Sequence, residues 1–173
     1  MSSALWHLFG VSMFYRFVIV FIVLILLAGC SASGPVYKQH ELQNSKNATL
    51  YIYRPSKAVN CCVAPLIYVD SEKLGPLKNG GYTVQELEPG AHVITVGDGS
   101  HGFDASTVEL NFESGEEYYL KWVIGSLDNL GVVILTGMVG AGAAAPGERD
   151  YNLVVINSED AKVEISKLKM SLP

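Results

Sequence analysis

Positive charge is scarce at the start of this chain. Arg16 is the only Lys or Arg before Lys38, and no Asp or Glu occurs before Glu41. Cysteine is scarce throughout, with Cys30, Cys61 and Cys62 the only ones. So few thiols, two of them adjacent, rule out a disulfide-stapled scaffold and match no zinc-ligand spacing. The chain also lacks a Gly-x-Ser-x-Gly elbow, a His-Glu-x-x-His pair and a phosphate-cradling glycine loop ending in Lys-Ser/Thr. Motifs therefore assign no catalytic residue, no cofactor and no metal ligand. Long apolar runs are equally few. Phe17 to Ala28 carries no charge, yet it falls short of the roughly 20 apolar residues a membrane span needs.

That run ends in Leu27-Ala28-Gly29-Cys30, followed by the small polar stretch Ser31-Ala32-Ser33-Gly34-Pro35. A positive flank, an apolar core of about 7–15 residues and a small-residue cleavage site define a secretory signal. With cysteine directly after Gly29, the tetrapeptide reads as a lipobox. It predicts cleavage between Gly29 and Cys30 and a lipid on the Cys30 thiol, against the competing readings of an uncleaved membrane helix with an incidental cysteine and of cleavage without lipid. The segment Leu5–Tyr15 makes an unusually apolar flank, and a start at Met13 gives a more compact signal. More than one acyl chain holds a protein firmly at a bilayer. The stretch resembles the lipobox of bacterial lipoproteins, and that resemblance, with Ser31 in place of the aspartate that retains such proteins at the inner membrane, implies the outer membrane. The expected organisation is a signal helix over residues 1–29, a lipidated cysteine and polar tether over 30–46, and one domain over 47–173.

Residues 30–173 hold all 17 acidic side chains and 11 of the 12 basic ones, a net charge of −6. Such a surface excludes nucleic acid as a partner, since that needs clustered Lys and Arg. It also leaves attachment to anionic lipid to the acyl chains alone. The expected partners are the bilayer, through Cys30, and an envelope protein or glycan. The sequence does not define an oligomeric state.

The pattern after Asn47 is that of short strands. Ala48–Arg54 alternates Leu50 and Ile52 against Tyr51 and Tyr53, and Pro55 ends it. Ala64–Asp70, Lys73–Leu77, Tyr82–Leu87, Ala91–Val96, Thr107–Phe112, Glu117–Ile124 and Tyr151–Ile156 come next, separated by turn residues. Glu88-Pro89-Gly90 suits a tight turn and predicts a hairpin between its flanking strands. Asn157 or Ser158 can cap a helix whose Ala161, Ile165 and Leu168 recur at helical spacing, extending to Lys169. The chain is thus expected to be mainly β: an antiparallel sandwich, immunoglobulin-like or prealbumin-like, with one C-terminal amphipathic helix.

Four features stand apart from this frame. Cys61-Cys62 reads as two small residues at a strand edge, as a vicinal disulfide, or as a pair bridging or binding outside the chain. Asp98, His101 and Asp104 share the 97–104 loop, where a weak ligand or metal site competes with a solvated connection. Leu130–Ala145 is uncharged and carries Gly137, Ala141 and Ala145 at intervals of four, the spacing that packs membrane helices. It reads as a buried strand and loop, as a partner-binding surface, or as the core of a membrane-embedded assembly factor. Exposed members of the set Tyr51, Tyr53, Tyr68, Tyr82, Tyr118 and Tyr119 offer a recognition face. Arg54, closing the first strand, is expected to pair with a surface carboxylate.

Ala48-Thr49-Leu50-Tyr51-Ile52-Tyr53-Arg54-Pro55, Tyr68-Val69-Asp70 to Gly75, Asn79-Gly80-Gly81-Tyr82, Leu87-Glu88-Pro89-Gly90-Ala91-His92 and Gly115-Glu116-Glu117-Tyr118-Tyr119-Leu120 together resemble a family of bacterial membrane lipoproteins, domain of unknown function 2846. Asn157–Leu168 extends the resemblance. The Leu-x-Pro-Gly-x-His element also resembles carrier-type β-sandwich modules of surface proteins. These residues are turn formers and strand cores. The resemblance therefore implies a fold and a lipid anchor, and transfers no catalytic role. The cysteine pair and the Gly/Ala stretch lie outside it.

Overall fold

The structure, a computed structural model, describes residues 15–16, 18–20, 31–58, 61–97, 105–124 and 151–172. The chain divides into two units, Met1–Cys30 and Ser31–Pro173. In the first, the described residues are helical. No helix among the described residues is long and apolar enough to cross a membrane.

The second unit is a two-sheet sandwich. Its elements are β1 (Ala48–Arg54), β2 (Leu66–Val69), β3 (Glu72–Pro76), β4 (Gly81–Leu87), β5 (Gly90–Val96), β6 (Ser106–Phe112), β7 (Glu117–Ile124), β8 (Tyr151–Ile156), α1 (Ser158–Ile165) and β9 (Lys169–Met170). One sheet runs β8-β7-β1-β4-β9 and the other β3-β2-β5-β6. The mainly β sandwich with one short C-terminal helix is the fold that the alternation predicts. Most pairings are antiparallel, while β1 runs parallel to β7, with Leu50 opposite Tyr118 and Ile52 opposite Leu120. β7 reaches that position from β6 in the facing sheet, so the parallel pair forms without a crossover helix.

The predicted β4–β5 hairpin is not there. β4 pairs with β1 and β5 pairs with β2 and β6, so the Glu88-Pro89 link carries the chain from one sheet to the other. The true tight hairpin joins β2 to β3 through Asp70 and Ser71, at φ 49° and 71°. Two consecutive left-handed residues match the twist of the flanking strands. Asp70 tolerates that backbone because its carboxylate is well used: it accepts the Val93 N–H at 2.9 Å and bonds the His92 ring.

The space between the sheets is filled by the inward alternates: Leu50 and Ile52, Ile67 and Val69, Ile94 and Val96, Leu110 and Phe112, Leu120 and Trp122. A second cluster lies on the outer face of the five-stranded sheet, where Tyr51, Tyr53, Tyr82 and Tyr119 meet Ala161, Ile165 and Leu168. Every residue of β1 is consequently buried. Asn157 caps α1, its side chain accepting from the Asp160 N–H at 2.9 Å. The helix stops at Ile165, short of the expected Lys169, because the Lys169–Met170 backbone pairs with the edge of β4 instead.

Residues 31–46, expected to be a free tether, lie along this domain. Ser31 bridges Asn79, Val36 bridges Lys169, and the Gly34 N–H donates to Met170 O at 3.0 Å. Tyr37 contributes its ring edge-on to Tyr51 and Tyr82, 5.7 and 5.5 Å between centroids. A polar composition conceals this docking, because main-chain hydrogen bonds supply most of it.

Candidate functional site

On the outer face of the five-stranded sheet, β7 presents Glu117, Tyr119 and Lys121 toward α1, while Tyr118, Leu120 and Trp122 face the other sheet. Two ion pairs fasten the helix there in opposite senses: Glu117 Oε2 to Lys162 Nζ and Lys121 Nζ to Glu164 Oε1, both 2.7 Å. The tyrosine hydroxyls complete the lock. Tyr119 donates to Glu117 at 3.0 Å and Tyr53 to Glu164 at 2.9 Å. Tyr51 stacks on Tyr119 at 4.8 Å with its ring nearly parallel, and its hydroxyl accepts the His40 N–H. Burial pushes the Tyr51, Tyr53 and Tyr119 hydroxyls far above the ordinary tyrosine range, and the neighbouring carboxylates push Tyr53 and Tyr119 further. These phenols remain protonated donors at any ordinary pH.

Glu86 on β4 performs the corresponding task for the N-terminal segment. Its carboxylate takes the His40 Nε2 at 2.8 Å, the Gln43 N–H at 2.7 Å and the Asn47 amide at 3.3 Å. The Gln43 N–H, then His40 and Asn47, hold its carboxyl below the usual range against some burial. Burial raises the Glu117 carboxyl, but the bonds from Lys162, Tyr119 and Gln39 outweigh it and leave the group below its usual range. The Glu117 contact in turn lifts the Lys162 ammonium.

Between the clasps opens a groove of about 380 Å³ lined by Gln39, His40, Leu42, Thr49, Gly115, Glu116, Glu117 and Ser158. Glu116 is exposed and Glu117 half-buried, so the rim presents carboxylate oxygens. The bonds that Glu117 receives from Lys162, Tyr119 and Gln39 fix its orientation before any ligand arrives. Such a rim accepts hydrogen bonds from hydroxyl, amide and cationic groups.

The residues singled out from the sequence fare differently. Leu27, Ala28, Gly29 and Cys30, the Asp98, His101 and Asp104 loop, and Leu130–Ala145 lie outside the described residues. Cys61 and Cys62 are free thiols with sulfurs 3.4 Å apart, in a turn rather than at a strand edge. The Cys62 contact raises the Cys61 thiol. Arg54 is not a surface residue. It is 2 % exposed, donates to the Val63 and Leu77 carbonyls, and lies 4.8 Å over the Trp122 ring. Nor do the tyrosines form an exposed face: Tyr51, Tyr53, Tyr82 and Tyr119 are each at most 2 % exposed. The groove, His40 and Glu86 were invisible to motif reasoning, since the side-chain bonds Gln39–Glu117, His40–Glu86 and Asn47–Glu86 span 39 to 78 residues of sequence. One signal was legible, the alternation Glu117, Tyr119, Lys121, which places two opposite charges around an aromatic on one face of a strand.

The fold and groove define a small two-sheet β-sandwich whose outer face is closed by a helix and by its own N-terminal segment. The chain belongs to the family described as protein of unknown function (DUF2846), whose model matches residues 44–133, just over half of its length. That match runs from the last residues of the docked N-terminal segment through β7. The chain matches no curated protein.

Proposed function

We propose that this protein is a lipid-anchored component of the bacterial cell envelope whose folded part is a non-catalytic binding module. Cys30 carries the acyl chains after cleavage behind Gly29, and the sandwich faces the periplasm, at the outer membrane in preference to the inner. The lipobox sequence supports the anchor. The observation that carries the binding role is the preorganised carboxylate rim of the groove. Glu117 and His40 are each committed to hydrogen bonds that hold the fold together, which suits recognition better than proton transfer. The partner is an envelope protein or glycan that offers amine, amide or hydroxyl donors to Glu116 and Glu117.

Two measurements test this. The intact mass of the purified mature protein should equal residues 30–173 plus acyl chains; an unmodified Cys30 refutes the anchor. Crosslinking in intact envelopes should trap a partner with wild-type protein and lose it with Glu116→Lys. A partner retained by that variant refutes the groove as its seat.

A further inference from the structure

Given the lipid anchor proposed for Cys30, on which the orientation rests, the docked N-terminal segment determines which way the domain faces. A free tether of 16 residues could reach about 53–58 Å at full extension. The structure leaves no such length. Ser31, one peptide bond after Cys30, is bridged to Asn79, and the Ala32 N–H donates to Asn79 O at 3.0 Å. Ala32 is buried, and Asn79 is itself 6 % exposed. The Asn79 side chain accepts the Lys57 N–H at 2.9 Å and donates to Lys57 O at 3.0 Å. Ser31, the residue that follows the proposed acylation site, is therefore held on the body of the domain.

The strand register identifies the end in question. Arg54 at the close of β1 lies opposite Gly81 at the start of β4, and Gly81 lies opposite Lys169. Ser56, Lys57, Asn79 and Lys169 thus cluster at one end of the five-stranded sheet. Val36, bridged to Lys169, stays 53 % exposed. The Glu88-Pro89 link and the 113–116 turn lie at the opposite end, beyond Leu87 and before Glu117. β1 alone separates the two ends by about 20 Å at ~3.3 Å per residue.

We propose that the Lys57–Asn79 end of the sandwich rests on the bilayer surface, and that the end carrying Glu88, Glu113 and Glu116 points into the periplasm. The occupant of the Lys57–Asn79 end is the headgroup layer of the membrane that holds Cys30. The short link imposes this orientation, so it does not depend on anionic lipid. The groove beside Gly115 and Glu116 consequently opens at the membrane-distal end, where a periplasmic partner can reach it.

The test uses the full lipidated chain carrying Cys61→Ser and Cys62→Ser, with one reporter cysteine at a time, Lys57→Cys or Ser114→Cys. Each is labelled with an environment-sensitive fluorophore and reconstituted into phosphatidylcholine vesicles containing headgroup-nitroxide lipid. Emission should be lost at position 57 and retained at 114. A flexible Gly/Ser insert of 12 residues between Cys30 and Ser31, spanning about 20 Å, should restore emission at 57. Equal quenching at the two positions, or quenching at 57 that survives the insert, overturns the orientation while leaving the anchor intact. A mass showing no acyl group overturns both, so the two failures are distinguishable.

Discussion

Replacing Glu164 with alanine should cost far more than a half-exposed helix residue ordinarily does. Its carboxylate is shared by two groups that have little access to water: the Tyr53 hydroxyl on a 0 % exposed side chain, and the Lys121 ammonium on a 13 % exposed one. A buried hydroxyl left without its partner costs about 1–3 kcal/mol. Glu164 itself is 39 % exposed, so the Lys121 pair lies between the surface and buried limits and adds about 1 kcal/mol. Alanine returns a few tenths of a kcal/mol through helix propensity. The net loss is about 2–3 kcal/mol, a fall in melting temperature of about 6–10 °C for a domain of this size. Urea and thermal unfolding followed by circular dichroism read this directly. Glu164→Gln keeps an acceptor for Tyr53 and should lose only about 1 kcal/mol. A cycle of Glu164→Ala with Tyr53→Phe should show the two changes to be coupled rather than additive. A Glu164→Ala loss below about 0.5 kcal/mol, the scatter of ordinary surface changes, would refute the idea that this carboxylate joins helix to sheet.

Two further perturbations probe other joints. His92 faces an acceptor on each ring nitrogen, Asp70 on Nδ1 and the Glu88 carbonyl on Nε2. Burial works against its charged form, but those acceptors win and its pKa is raised. A raised folded-state pKa gives stability that is fully present below the ordinary histidine value, about 6.5, and is lost as pH rises through the folded value. The urea midpoint of the wild type should therefore fall from the mildly acid side toward alkaline pH, and His92→Ala should flatten that slope. The Asp70 carboxyl is held below its usual range first by the Val93 N–H and then by His92, so its contribution disappears only as strong acid protonates it. Gly81→Ala tests the docking of the N-terminal segment, because a β-carbon there would meet the Ser171 hydroxyl, the Lys78 carbonyl at 2.8 Å and Ala32. Hydrogen exchange at the Ala32 and Gly34 amides should accelerate while that of Leu50 and Leu120 stays slow; unchanged protection at Ala32 would mean the segment is held elsewhere.

Much of the sandwich was legible because alternation is a local property. Val108, Leu110 and Phe112 face inward as their period predicts, and each strand expected from the pattern after Asn47 is present within a residue or two. What alternation does not carry is which strand lies beside which. Leu87-Glu88-Pro89-Gly90 looks like a hairpin turn, yet the strands on either side of it find better-matched neighbours in separate sheets. The histidine after that turn is explained by the same geometry, as the post that ties the link to the Asp70 hairpin. The tyrosines misled for a related reason: an alternation of aliphatic and aromatic side chains is equally consistent with one wet face and with two dry ones. The unbroken absence of charge from Ala48 to Tyr53 was the hint that both faces of β1 are covered. The site was less legible still, because Glu86, Glu117 and Glu164 acquire their roles only through residues brought to them by the N-terminal segment and α1.

The placement of β1 also sets a timetable for the nascent chain. The first strand to be synthesised becomes the middle of its sheet, and its parallel neighbour begins only at Glu117. Until then one edge of β1 has no partner, and an apolar strand with an open edge invites pairing with other molecules. Closing a sheet across so many intervening residues is also slow. The five-stranded sheet therefore cannot close around β1 until the residues from Glu117 onward have been made.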